Sequence, residues 1–168
     1  MFPLKNYKHK LPTSEHPGGF GFPRKFDIHT GIDLYCQNNQ EVYAIESGTV
    51  VNILPFTGEI AGYPWWNDTY CVMVESDSGV INYGEILPER SLKIGDEIKR
   101  GQFIGNIIRV LKKDKGLPMD MLHLELYKHG STETVGWNLN SPKPDSLMDP
   151  YELLELELMK EIFDWDGF

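Results

Sequence analysis

The sequence is poor in cysteine, with only Cys36 and Cys71 among 168 residues. That excludes a disulfide-framework mini-protein, a four-cysteine zinc finger and an iron–sulfur ferredoxin. One bridge could still join the pair, although reduced thiols are preferred. Long apolar runs are missing too, and none approaches the roughly 20 residues of a membrane helix. No apolar stretch follows the lysines of the first ten residues, so no secretory signal is expected and the chain is read as cytoplasmic or delivered by another route. A basic stripe is also lacking, which argues against a nucleic-acid partner. The net charge of −9 sits mostly at one end. From Asp145 to Phe168 there are eight acids and one base, Lys160, leaving 17 acids and 15 bases in the remainder. The chain length predicts a single domain, large enough to bury a core unaided.

Proline and glycine punctuate the first 28 residues (Pro3, Pro12, Pro17, Gly18, Gly19, Gly21, Pro23), so residues 1–18 are read as irregular. Residues 19–148 read as a β domain of short strands and turns. Strands are expected on either side of Ser47-Gly48 within Glu41–Ile53, as a hairpin of Tyr70–Glu75 and Val80–Tyr83 around Asp77-Ser78-Gly79, and at Ile98–Ile108 and Met121–Tyr127. Residues 149–168 read as an acidic amphipathic helix packed on that domain. Asp149 is a good N-cap, Pro150 suits the first helical position and Glu152 follows three residues after the cap. Tyr151, Leu154, Leu158, Ile162 and Trp165 fall on one face, while Leu153, Leu156, Met159 and Phe163 widen the arc and leave room for a homodimer contact. Its acidic residues are read as a solvated face.

Three groups carry candidate chemistry. His29 and Asp33 flank Gly31, whose backbone freedom is expected to let both side chains aim at one spot. Met121, His123 and Glu125 alternate along a strand and should share a face. Tyr83 and Glu85 would share a face if their strand continues. Two imidazoles and a carboxylate suit zinc, with a fourth position open to water. In Gly62-Tyr63-Pro64-Trp65-Trp66-Asn67, the adjacent tryptophans cannot both enter one core easily, and either could stack on a sugar or peptide.

Several segments, in order, resemble the lysostaphin-type zinc peptidases, which cut the peptides of bacterial cell wall. Gly19–Leu34 is similar to their "FGxR…HxGxD" segment, Glu41–Val51 to "xVxAxxxGxVV", and Val80–Leu87 stands where they have "YGHL". Leu92–Gly105 resembles "VKxGDxVKxGQxIG", Leu122–Leu126 the end of "HLHFEL", and Asp149-Pro150 the closing "DP". The resemblance spans about residues 19 to 155. It implies a mostly β fold, a duplicated hybrid motif whose antiparallel sheet forms a sandwich or barrel-like domain, here with a C-terminal α-helix. It also implies zinc on His29, Asp33 and His123, a peptidoglycan peptide as partner, and substrate contacts that we assign to Tyr83, Trp65 and Trp66.

Two positions depart from the pattern. The first histidine of HxH is Met121, and the histidine of YGH is Glu85. In the family these two histidines flank the water, one as base and one as stabiliser of the oxyanion. A thioether can do neither job, whereas a carboxylate can take a proton, which makes Glu85 the candidate general base. Three explanations stay open: Glu85 is the base and zinc alone stabilises the oxyanion, another histidine such as His16 or His129 fills in, or the metal site survives as a non-catalytic binding or assembly module.

Overall fold

The structure, a computed structural model, describes residues 1–163. Its strands are β1 (Ile32–Tyr35), β2 (Glu41–Tyr43), β3 (Gly48–Thr57), β4 (Thr69–Ser76), β5 (Gly79–Pro88), β6 (Glu97–Ile98), β7 (Phe103–Ile107), β8 (Met121–Tyr127) and β9 (Leu147–Met148). They join in one antiparallel sheet of order β1-β8-β5-β4-β3-β6, with β2 paired to β7, β7 to β5 and β9 to β8. Strand β8 covers the segment expected from its alternation, and β4 and β5 form the expected hairpin. The single α-helix among the described residues is α1, Tyr151–Phe163.

Alternation along the central strands separates core from chemistry. Ile32 and Leu34 of β1 and Leu122, Leu124 and Leu126 of β8 enter the main core, as do Ile81 and Tyr83 of β5. Side chains on the opposite face of β1 and β8 include Asp33, His123 and Glu125, since successive strand residues point to opposite faces. The register aligns Asp33 with His123, and His123 with Gly84, in one row across three strands.

The opening segment has no regular element, yet it belongs to the core. Phe2 and Leu4 are fully buried in the main cluster, and the Pro3 carbonyl accepts a bond from the Tyr43 N–H at 3.0 Å. Both cysteines are free thiols, and burial pushes each up to about 12, which keeps them protonated and unreactive.

The Asp149 carboxylate accepts the Tyr151 N–H at 2.9 Å, capping α1 as expected. Leu154 is buried and Tyr151, Leu153 and Leu158 pack against the core, but Ile162 is 67% exposed, so the packed face ends a turn early. Leu156, Met159 and Phe163 are also exposed and form the strip on which the expected homodimer contact would have to lie. Trp165 falls outside the described residues.

The acidic face is not wholly solvated. Glu157 is 2% exposed, where Arg100 grips it with two bonds of 3.0 and 2.7 Å and Lys160 donates at 2.8 Å. The Met1 amine also contacts it, and the Phe2 N–H donates to Glu161 at 2.9 Å. A carboxylate can be buried here because these cations replace its lost water. Desolvation alone would raise its pKa, but the bonds from Arg100, Lys160 and the Met1 amine outweigh that and hold it at about 2. A pKa depressed on folding stabilises the protein above the unfolded value near 4.5, and that stabilisation fades as pH falls towards 2. Glu157→Gln should therefore cost about 2 kcal/mol at pH 7. The difference from the parent should shrink between pH 4.5 and 2, as followed by thermal unfolding across that range.

Candidate metal centre

His29 is placed by a short hairpin ahead of β1. Its N–H donates to the Phe22 carbonyl at 2.9 Å, its carbonyl accepts the Gly21 N–H at 2.9 Å, and Pro23 bridges Ile28. Its Nδ1 lies 2.8 Å from the Gly19 carbonyl, which can only accept. The ring proton must then sit on Nδ1, leaving Nε2 with a bare lone pair. On His123, Nε2 faces Glu125 Oε1 at 3.1 Å, so in the neutral ring that nitrogen carries the proton and Nδ1 is bare.

The two bare nitrogens and one aspartate oxygen converge. His29 Nε2 is 3.2 Å from His123 Nδ1 and 3.2 Å from Asp33 Oδ1, and His123 Nδ1 is 2.9 Å from that oxygen. Ligands about 2.05 Å from a tetrahedral zinc stand about 3.3 Å apart, so this triangle is close to one face of such a coordination shell. All three side chains are buried. Arg24 holds the other aspartate oxygen, Oδ2, at 2.9 Å and leaves Oδ1 for the cluster.

Three acceptors cannot remain so close without a cation between them. Burial would lower the His123 pKa, but its bonds to Asp33 and Glu125 and their charges outweigh that and push it up to about 10. Burial alone would raise Asp33, yet its bonds to the two histidines hold it far below the usual carboxylate range. The centre thus attracts either a proton or a metal, and two imidazoles with one carboxylate suit zinc.

A supporting layer fixes this geometry. Glu125 Oε1 accepts from Thr30 Oγ1 at 2.6 Å as well as facing His123, and Oε2 accepts from Asn82 Nδ2 and the Tyr127 hydroxyl, both at 2.8 Å. Such a carboxylate behind an imidazole fixes its tautomer and orientation. The sequence alternation placed Glu125 on this face without giving it a role, Arg24 stood only within the family-like segment Gly19–Leu34, and nothing local pointed to Asn82 or Tyr127. Gly31 matters for its size, since its φ is not among the positive ones. A Cβ there would lie 2.4 Å from the Leu124 carbonyl oxygen and 2.9 Å from His123 Nε2.

Glu85 reaches the site through a bulge. Tyr70 pairs with Ile86 and Cys71 with Gly84, so Glu85 has no opposite number on β4, and its φ is +64°. The extra residue interrupts alternation and re-aims the side chain, as bulges beside active sites do. Glu85 therefore lines the cleft, whereas Tyr83 does not share its face: it is fully buried, with its hydroxyl accepting the Ile45 N–H at 2.8 Å. That burial removes Tyr83 from the candidate substrate contacts. Burial and the negative charge of Asp33 push the Glu85 carboxyl up to about 8.

The cleft has two halves, of about 710 and 730 Å³, which share Arg24, Thr57, Trp66 and Glu85. His29 and His123 border the first half, together with Tyr63 and Trp137. Asp33, Met121 and His16 border the second. Trp66 thus lines both halves, while Trp65 is 61% exposed and lies outside both linings, in edge contact with Tyr63 and Trp66. His16 accepts the Gly18 N–H on Nδ1 at 3.0 Å, while His129 pairs with Glu75 at the surface, 2.6 Å away.

The family model of peptidase family M23 matches residues 27–134, most of the sheet and every member of the cluster. The chain belongs to this peptidase family. Its fold is shared with solved structures of low sequence identity. The catalytic domain of the antimicrobial peptidase lysostaphin from Staphylococcus simulans is 20% identical with a TM-score of 0.55, covering 88% of this chain and 92% of that one. A mutant catalytic domain of the prophage-encoded M23 protein EnpA from Enterococcus faecalis is 21% identical with a TM-score of 0.54, over 85% of this chain and 98% of that one. A zinc-containing peptidase from Vibrio cholerae is 20% identical with a TM-score of 0.53, over 85% of this chain and 40% of that one. No curated protein matches the sequence.

Two substitutions test this geometry. Gly31→Ala should destabilise the fold by about 1–3 kcal/mol in denaturant unfolding, because backbone must yield. Glu85→Gly should stabilise it by about 1 kcal/mol in the same assay, by relieving the left-handed backbone.

Proposed function

We propose that this M23 domain is a zinc-dependent peptidase acting on peptides of bacterial cell wall, with His29, Asp33 and His123 as ligands and Glu85 as general base. The observation that carries this reading is the convergence of two tautomer-fixed lone pairs and one aspartate oxygen beside a cleft lined by Glu85. Zinc held there would supply the positive charge that acidifies a water and polarises a scissile carbonyl. Asp33 and the two histidines would hold the ion, and Glu125 and the Gly19 carbonyl keep both rings turned towards its place. Glu85 takes the proton of the attacking water and returns it to the leaving amine. Burial and Asp33 raise the Glu85 carboxyl and so strengthen it as a base, and zinc nearby would lower it again, which would leave the ionised form available to take the proton at neutral pH. Trp66 contacts the bound peptide from the rim of the cleft, with Trp65 extending the aromatic surface outwards.

The second reading is a zinc-binding module without catalysis, used for binding or assembly. Met121 favours it, because its thioether lines the cleft and can neither take a proton nor donate a hydrogen bond.

Zinc analysis and mass spectrometry of digests of defined wall peptides separate the two. His123→Ala should lose stoichiometric zinc. Glu85→Gln should keep zinc and lose hydrolysis by about 100-fold or more. Full activity in Glu85→Gln would remove that residue from the mechanism, and peptide binding without cleavage by the zinc-loaded parent would favour the second reading.

A further inference from the structure

We propose that the half of the cleft bordered by Met121 is a subsite for a large apolar side chain next to the scissile bond, so that the substrate is a peptide with such a residue and not an all-glycine bridge. The proposal rests on the peptidase reading above and specifies its substrate.

The subsite has a built wall. Residues 109–120 are closed at their base by Arg109, which makes two bonds to Asp120 at 3.0 and 2.7 Å. They are stitched to the aromatic loop beside them. The Asn67 N–H donates to the Val110 carbonyl at 2.8 Å, and its side-chain amide donates to the Arg109 carbonyl at 2.9 Å. Lys112 donates to the Pro64 carbonyl at 2.8 Å, and Trp66 bridges Leu111. Apart from the Arg109–Asp120 pair these bonds end on backbone carbonyls, and Trp66, Val110, Leu111, Met119 and Met121 face the cavity.

The lining decides what fits. His16, Arg24, Asp33, Glu85 and Lys115 line one part of the cavity, but the wall opposite is thioethers, branched aliphatics and an indole face, which offer contact area and little hydrogen bonding, and methionine adapts to varied apolar shapes. At about 730 Å³ the cavity accepts a leucine- or phenylalanine-sized group with room for backbone. Its position is tied to the reaction, because Asp33 and Glu85 line the same cavity and Met121 is two residues from His123 along β8. A glycine placed here would leave that lining against water. One or two well-buried apolar groups change kcat/KM by roughly 10–100-fold, which sets the preference to expect.

The test uses the whole chain with 13C-labelled methionine methyl groups and two blocked peptides, pentaglycine and Gly-Gly-Leu-Gly-Gly. The leucine peptide should shift the Met119 and Met121 methyl signals in both zinc-loaded and zinc-free protein. Zinc-loaded protein should cut it next to leucine roughly 10–100-fold faster, in kcat/KM, than it cuts pentaglycine. Met121→Gln should lower that ratio with zinc content retained. Unmoved methyl signals, or pentaglycine cut as well as the leucine peptide, would overturn the subsite. Methyl shifts without cleavage of either peptide would support the subsite while refuting hydrolysis.

Discussion

The site depends on one electrostatic constraint: one imidazole nitrogen from each of two histidines and a carboxylate oxygen are held about 3 Å apart, so close that a proton or a metal cation must sit among them. The Gly19 carbonyl and Glu125 impose it by occupying the far nitrogen of each ring. Much of the surrounding architecture serves that arrangement. The β1–β8–β5 register sets Asp33 opposite His123, the hairpin before β1 delivers His29, and Gly31 is small because His123 and Leu124 press against its backbone. Repulsion among the acceptors makes the centre attract a cation, whether a proton or a metal.

Beyond the cluster, strain and charge are placed where they help the cleft and the scaffold. A non-glycine residue at positive φ interrupts β5 at Glu85, and the resulting bulge turns a carboxylate out of the alternation that buries Tyr83. At the other end of the fold, Arg100 and Lys160 let Glu157 enter the interior and tie α1 to the sheet. The same principle operates at both places: a carboxylate goes underground only where cations or donors receive it, or where its own pKa rises.

Much of this was legible in the sequence, and the gaps have physical causes. Strand β8 could be read in full because its leucines alternate with chemistry-bearing residues, and the same alternation exposed His123 and Glu125. His29 and Asp33 were visible by type and spacing. The bulge was not, since nothing beyond Val80–Tyr83 marks an extra residue, and the error fell on Tyr83, which a continuing strand period would have kept beside Glu85. Glu157 was read as solvated because its partner Arg100 is 57 residues away in the chain. Gly31 was noticed for its backbone freedom, whereas contact with another strand is what requires it. The wall formed by residues 109–120 had no period at all, being set by loop-to-loop hydrogen bonds that no local pattern records.

The most direct measurement of the central claim is zinc K-edge X-ray absorption of the zinc-loaded protein. The account predicts one bound ion with four light-atom ligands at about 2.0–2.1 Å and the multiple scattering of two imidazoles. Scattering from fewer than two imidazoles, a sulfur ligand, or no stoichiometric zinc to measure would contradict it.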